Sequence, residues 1–252
     1  MVGMAPRERD SGTPVGVVTG GGRNIGRAIA LDLAGRGFDV AVLVRGSRDE
    51  AEAVAKEVRA LGGRAISVVA DVRDREAVAD AFDQTKKELG IPTVLVHAAA
   101  VRREVPFLEI TDDEWRDVTG VILDGAFVCC RQALPGMLEE GWGRIVLIGG
   151  LSSQTGAANR AHVVAAKAGL HGLTRALAVE FADRGVTVNT VSPGMIDTVR
   201  PGAEPSHHSG RKIPVGRQGR PEEVAALVGH LVTNDAAYIT GQTINVNGGL
   251  LL

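Results

Sequence analysis

Short apolar runs rich in β-branched residues alternate along the chain with longer amphipathic patterns. The apolar runs are VGVVT, DVAVLV, RAISVVA, TVLVHAA, GRIVLIG, VTVNTVS and QTINVN. The helical patterns between them begin near Asn24, Asp49, Arg73, Thr111, Asn159 and Pro221. Such alternation is typical of βαβ units, so we expect an α/β fold with a doubly wound parallel sheet and helices on both faces. Ligands of such sheets bind at the carboxyl ends of the strands.

The composition is that of an ordinary globular protein, with 44% hydrophobic and 23% charged residues. No repeat or linker divides residues 14–252, so we expect one domain, preceded by a mobile polar tail at 1–13. The net charge of -2 gives no reason to expect nucleic acid or a membrane surface as a partner. With no signal peptide and no apolar run of spanning length, a cytoplasmic protein acting on a small molecule is expected.

The spacing of the two cysteines argues against a disulfide between them and against a metal site. Cys129 and Cys130 are adjacent in an apolar stretch, which disfavours a disulfide between them and offers no metal-ligand pattern. Both are interpreted as core residues, and no metal site is expected.

A glycine-rich turn, TGGGRNIG at 19–26, follows the first strand and opens a helix. Its backbone N–H groups and the positive end of the helix favour a pyrophosphate. Asn24 occupies a position where glycine would be the easy choice, but asparagine tolerates positive φ better than other side chains. The predicted contacts are Gly20, Gly22, Arg23, Asn24, Ile25 and Gly26.

The end of the second strand distinguishes the two nicotinamide cofactors. An acid there binds the ribose 2′-hydroxyl of NAD, whereas an arginine pairs with the 2′-phosphate of NADP. The segment LVRGSR contains no acid, so Arg45, helped by Ser47, Arg48 or Arg23, predicts NADP(H) in preference to NAD(H). The alternative is that these arginines are solvated loop charges. Further along, Asp71-Val72 would suit the adenine edge, although Asp71 is also a candidate helix cap.

Together these motifs give the chain a resemblance to the short-chain dehydrogenase/reductase family from Val15 to Leu252. The matching segments are TGGGRNIG at 19–26, DV at 71–72, Trp115, KAG at 167–169, VN at 188–189, SPG at 192–194, IPVGRQGRPEEVA at 213–225, and YITGQ at 238–242 followed by NVNGG at 245–249. The resemblance implies a three-layer Rossmann-type sheet of about seven parallel strands, a bound NAD(P), and a homo-oligomer, usually a tetramer with dimer contacts through long helices.

The resemblance also assigns roles to single residues. It implies that Lys167 holds the nicotinamide ribose and that Ile196 and Thr198 lie near the carboxamide. It implies a mobile lid over the substrate at 199–212, which contains His207 and His208. The remaining cofactor contacts expected are Ala98, Ala99, Pro193 and Gly194.

Three of the family's four catalytic residues are missing from the positions where the resemblance expects them. Val163 stands four residues before Lys167 in place of the tyrosine, Gly150 replaces the serine, and Ile122 replaces the asparagine. The only tyrosine, Tyr238, lies in the C-terminal segment. A general acid typically contributes about 10²–10⁴-fold and an oxyanion donor about 10²–10³-fold, so carbonyl reduction by the family's usual route should be very slow.

Two other residues are candidate substitutes. Ser152 follows Gly150 closely, and His97 ends the fourth strand with a side chain suited to proton transfer near neutrality. Each is also readily explained without catalysis, Ser152 as a turn residue and His97 as a core residue. His162 neighbours Val163 but is expected to point about 100° away from it around the helix.

Three functions from different classes remain open at this level. The first is an NADP(H)-dependent oxidoreductase with a non-standard proton donor. The second is a cofactor-binding protein or partner subunit without catalysis. The third is non-redox chemistry, such as elimination or hydration, with Lys167 or His97 as the base.

Overall fold

The computed structural model describes residues 12–199, 210 and 212–251. It contains one sheet of seven strands in the order β3-β2-β1-β4-β5-β6-β7, with every neighbouring pair parallel. The strands are β1 Val15–Thr19, β2 Asp39–Val44, β3 Ala65–Val69, β4 Pro92–His97, β5 Gly143–Ile148, β6 Val186–Pro193 and β7 Thr243–Val246. All seven strands coincide with the predicted apolar runs to within two residues, and the α/β fold class is confirmed.

Helices cover both faces of the sheet. They are α1 Asn24–Gly35, α2 Arg48–Ala60, α3 Arg75–Glu88, α4 Asp112–Thr119, α5 Gly125–Glu139, α6 Ser152–Thr155, α7 Ala161–Phe181 and α8 Pro221–Leu231. One apolar core lies beneath α1, α2 and α8, and a second lies beneath α3, α5 and α7. Cys129 and Cys130 are buried in the second core, as predicted. Strands β1, β2, β4, β5 and β6 are buried along their whole length because both faces of the sheet are covered, whereas the edge strands β3 and β7 are partly exposed.

The junction between β1 and β4 is the point where the strand order reverses direction. Thr19 Oγ1 accepts hydrogen bonds from the backbone N–H groups of Ala98 and Ala99, at 3.2 and 3.1 Å. Gly20 follows with φ +66°, and a Cβ on it would lie 2.9 Å from the Ala99 nitrogen. Glycine is therefore required, and the two strand ends can approach closely. Crevices of doubly wound sheets open at this reversal.

The helical pattern predicted from Thr111 is broken into two helices. Thr111 caps α4, because its side chain accepts a hydrogen bond from Glu114 N. A π-helical turn, Gly120–Asp124, then separates α4 from α5. Taken together, α4, the π-helical turn and α5 form one helical run, Asp112–Glu139, and it is the one described run whose length and apolar composition would suit a membrane span. It packs on β4 and α3, with 56% of its most apolar window buried, as expected of a core helix.

Two sequence predictions fall mainly on residues outside the described ranges. The first is the N-terminal tail at 1–13, of which residues 1–11 lie outside. The second is the lid at 199–212, of which 200–209 and 211 lie outside, including His207 and His208.

Gly26→Ala tests the packing of the glycine-rich turn. A Cβ at Gly26 would lie 2.1 Å from the Gly20 carbonyl oxygen, so the substitution should lower the free energy of unfolding by about 1–3 kcal/mol. Gly35→Ala is the control in the same helix, because a Cβ there meets nothing within 4 Å. It should be neutral or slightly stabilising. Urea denaturation measures both, and equal effects would contradict the close approach.

Candidate functional site

A cavity of about 800 Å³ opens at the carboxyl ends of the strands. Its wall contains most of the residues predicted from the sequence to bind a nucleotide. They are Gly20, Gly22, Arg23, Asn24, Ile25, Gly26, Arg45, Ser47, Asp71, Val72, Ala98, Ala99, Lys167, Pro193, Gly194 and Ile196. Thr198 and Arg48 are the predicted nucleotide contacts that do not belong to the wall, although Val199, the neighbour of Thr198, does.

One end of the cavity is formed by the glycine-rich turn and the loop after β2. Asn24 has φ +50°, the positive value expected from its position, and its side-chain amide donates to the Val199 carbonyl at 3.0 Å. Arg23, Arg45 and Ser47 lie on the wall at this end, whereas Arg48 does not. Two guanidinium groups and a hydroxyl form a donor set that suits a phosphate.

An acid that the sequence analysis missed shares this end. Glu50, in the first turn of α2, lines the cavity, and its Oε2 lies 3.6 Å from where a Cβ on Gly22 would be. Glu50 lies beyond the end of β2, so a pattern confined to the strand end does not include it. The first turn of the following helix also faces the glycine-rich turn, and an acid in that turn is the sequence signal for Glu50.

Asp71 lies on the wall, and Arg73 determines its charge state. The Arg73 guanidinium donates to both carboxylate oxygens of Asp71, with the shortest contact at 2.6 Å. Its hydrogen bonds hold the pKa of Asp71 below the ordinary value. Asp71 is not the helix cap, since Asp74 accepts the N–H groups at the start of α3. Asp71 is therefore a fixed negative charge on the wall.

Helix α7 carries Lys167 to the opposite end of the cavity. The side chain is 8% exposed, and its Nζ donates to the backbone carbonyl of Ile148 at the end of β5. Burial, reinforced by the positive charges of Arg102 and Arg160, lowers the pKa of Lys167 to about 7. The ammonium and amine forms are therefore both present near neutral pH.

Comparison with known proteins identifies the family. A family model described as Enoyl-(Acyl carrier protein) reductase matches residues 20–251. The chain belongs to the short-chain dehydrogenase/reductase family. Curated relatives in this family are named 3-oxoacyl-[acyl-carrier-protein] reductase. The FabG protein of Pseudomonas aeruginosa is 40% identical over 242 residues, covering 94% of this chain and 97% of the relative. The FabG protein of Staphylococcus aureus is 38% identical over 243 residues, covering 95% of this chain and 99% of the relative. The Synechocystis relative is 40% identical over 242 residues, covering 94% of this chain and 97% of the relative.

The resemblance led us to expect the family's other catalytic residues at Val163, Gly150 and Ile122, and the structure places these three differently. Val163 lies one helical turn before Lys167 and presents an aliphatic side chain to the cavity. Gly150 also lines the cavity, and a Cβ built on it meets no atom within 4 Å. Ile122 is fully buried in the π-helical turn and does not reach the wall. Ser152, the hydroxyl nearest in sequence to Gly150, is on the wall.

The histidines near this end lie away from the cavity wall. His97 is 1% exposed, and its Nδ1 lies 3.1 Å from Thr19 Oγ1. Burial and the charge of Lys167 lower its pKa to about 3, so the ring is neutral at physiological pH. We therefore do not retain His97 as a proton donor. His162 is fully buried and faces Glu114, with 4.0 Å between Nε2 and Oε1.

Arg102, Glu104 and Arg160 were not identified as site residues, but all three line the cavity. Arg102 and Glu104 come from the loop after β4, and Arg160 precedes α7. Irregular segments give no periodic signal of side-chain direction, so the pattern could not place them. Among the residues that the model describes, no group of three or more His, Cys, Asp or Glu is arranged to hold a metal ion.

Lys167→Met tests the burial of the ammonium. The folded-state pKa of about 7 lies below the ordinary 10.5, so between these values the unfolded chain binds more protons at Lys167 than the folded protein does. The free energy of unfolding of the native protein should therefore rise with pH across this window, by up to about 1.4 kcal/mol per pH unit relative to Lys167→Met. Urea denaturation at pH 6 to 10 measures the difference.

The control for this experiment is Lys86→Met, on the exposed surface of α3. It should keep the pH dependence of the native protein. If the free energy of unfolding of Lys167→Met had the same pH dependence as that of the native protein, the pKa of Lys167 would not be lowered by folding, and the prediction would be wrong.

Proposed function

We propose that the cavity binds NADP(H) in preference to NAD(H), and that the protein is an oxidoreductase whose proton donor differs from the family's tyrosine. The observation that carries the proposal is the single cavity that joins the glycine-rich turn, the Arg23 and Arg45 end, and Lys167. This arrangement offers backbone N–H groups to a pyrophosphate and guanidinium groups to a 2′-phosphate. We expect Lys167 and Ile196 to contact the nicotinamide end of the cofactor.

The shape of the cavity supports this assignment. The glycine-rich turn leaves no room for side chains at Gly20 or Gly26, so backbone alone forms the floor there. Pockets that hold small molecules or cofactors have volumes of about 300–1,000 Å³, and this cavity falls within that range. The residues present thus fit the cofactor that the family implies.

Bound NADPH would supply a hydride to a carbonyl carbon. Reduction also requires a proton at the carbonyl oxygen, and Val163 has none to give. Lys167 is the residue on the described wall at this end with a pKa near neutrality, which is the value that favours general acid catalysis. We propose that its ammonium donates the proton, while the Ser152 hydroxyl is placed to hydrogen-bond the same oxygen.

The substrate class is proposed more broadly than the names of the relatives would allow. Those names describe reduction of 3-oxoacyl groups on acyl carrier protein. In this chain Val163 and Gly150 stand at the positions of the family's tyrosine and serine. We therefore propose a carbonyl compound as the substrate and do not propose that acyl carrier protein carries it. The aliphatic surface of Val163 favours one alternative, a nucleotide-binding protein without turnover.

We also propose that residues 14–252 act as one cytoplasmic NAD(P)-binding domain that assembles into a homo-oligomer. Exposed apolar side chains on the two long helices support the assembly. Phe127 on α5 is 43% exposed and Val179 on α7 is 87% exposed. Large contiguous apolar patches on a monomer surface commonly mark protein–protein interfaces.

Arg45→Asp tests the cofactor preference. The substitution should weaken NADPH about tenfold or more and affect NADH much less, because only NADPH carries the 2′-phosphate. Arg48→Asp is the control, since Arg48 is a close neighbour in sequence that does not line the cavity. Glu50→Gln should shift the preference towards NADPH by removing a negative charge. Nicotinamide fluorescence measures all three, and equal weakening of both nucleotides by Arg45→Asp would refute its role.

A turnover screen of ketones and aldehydes with NADPH tests the proton donor. The rate of reduction at saturating NADPH should fall as the pH rises through about 7, because the ammonium is the active form of Lys167. Lys167→Met should lower kcat by about 10²–10⁴-fold. Lys167→Arg, which stays protonated, should lose the decrease near pH 7. Turnover with an unchanged pH profile in both variants would exclude Lys167, and nucleotide binding without any turnover would favour the non-catalytic alternative.

A further inference from the structure

A hydrogen bond joins two sides of the cavity near its mouth. The Asn24 side-chain amide donates to the Val199 carbonyl oxygen at 3.0 Å, and the two residues are 175 positions apart in the sequence. Both residues line the cavity, Asn24 in the glycine-rich turn and Val199 beyond the end of β6. Val199 is 87% exposed, so the bond lies at the solvent side of the cavity rather than on its floor.

On the first side, Asn24 is held by the glycine-rich turn. Its φ of +50° is a value that glycine adopts readily and that asparagine tolerates. The turn is closely packed around it, because a Cβ at Gly20 or Gly26 would lie 2.9 or 2.1 Å from backbone atoms. Asn24 therefore keeps a backbone shape that glycine could also supply, and it adds an amide that glycine lacks.

On the second side, the segment that leads to Val199 is fastened to the chain just before α8. Ile196 forms a parallel bridge with Gly219. The Asp197 N–H donates to the Gly219 carbonyl at 2.8 Å, and the Gly219 N–H donates to the Met195 carbonyl at 2.9 Å. The bond to Asn24 thus connects two parts of the chain that are each fixed by their own contacts.

We propose that this hydrogen bond, which we call the clasp, closes over the cofactor and must open whenever NADP(H) enters or leaves. The inference rests on the proposed function, which places the cofactor along the wall between Arg45 and Lys167. Water competes for a bond at the mouth, so the clasp slows cofactor exchange without preventing it. Since the clasp is closed both before and after binding, it adds the same barrier in both directions.

Stopped-flow fluorescence of NADPH binding tests the clasp in Asn24→Gly. Glycine accepts the positive φ and removes the amide, so the turn keeps its backbone. The association and dissociation rate constants should both rise by about two- to tenfold, the change that loss of one hydrogen bond produces. Because both rise together, the Kd for NADPH should stay within about twofold of the native value.

Asn159→Gly is the matched control. Asn159 is the other described non-glycine residue with positive φ, at +60°, and it does not line the cavity. Its substitution should leave both rate constants unchanged. A rise in the dissociation rate constant alone would show that Asn24 contacts the cofactor directly, and it would overturn the clasp. Unchanged rate constants in Asn24→Gly, or the same rise in Asn159→Gly, would overturn it as well.

Hydrogen exchange of the nucleotide-free protein separates this inference from the proposed function. Binding of NADPH with unchanged rate constants in Asn24→Gly retains the proposed function and removes the clasp alone. If NADPH does not bind, the proposed function fails, and amide exchange over residues 195–199 then tests the clasp. Exchange there should be faster in Asn24→Gly than in the native protein or in Asn159→Gly. Equal exchange in all three proteins would overturn the clasp.

Discussion

The close approach of β1 and β4 at their carboxyl ends is the constraint on which the cavity depends. Thr19 ties the two strands through hydrogen bonds to Ala98 and Ala99, and Gly20 passes where any Cβ would meet the Ala99 nitrogen. From this point the chain crosses to opposite sides of the sheet, so the loops diverge and leave a crevice. The glycine-rich turn forms one wall, and the segments after β4 and β5 form the other.

The second wall gives this family member its particular chemistry. Lys167 lies on it, with its Nζ on the Ile148 carbonyl. One helical turn earlier, Val163 lines the cavity with an aliphatic side chain. Burial and two neighbouring arginines then bring the lysine pKa to about 7. Under the proposed function, this value suits Lys167 to donate the proton that Val163 cannot.

The fold was predictable because it rests on repeated local signals. Each strand is an apolar run, and the central strands are buried on both faces, so strand positions were predicted to within two residues. The positions of Lys167, Gly150 and Val163 on the cavity followed from motif spacing. The break at Gly120–Asp124 was not predicted, because a π-helical turn needs no change in hydrophobic pattern.

The missed site residues have a common physical cause. Glu50, Arg102 and Arg160 lie at or next to loops, where the direction of a side chain depends on tertiary contacts rather than on periodicity. His97 shows a related limit. It stands at the end of a strand, where functional residues often occur, yet it is 1% exposed, does not line the cavity, and has its Nδ1 3.1 Å from Thr19 Oγ1. Position along a strand thus does not decide which way a side chain faces.

The most direct test of the account is a titration of the native protein with NADPH and NADH, followed by nicotinamide fluorescence. The account predicts saturable binding of NADPH at one nucleotide per chain, with a lower Kd than for NADH. Failure of both nucleotides to bind would contradict it.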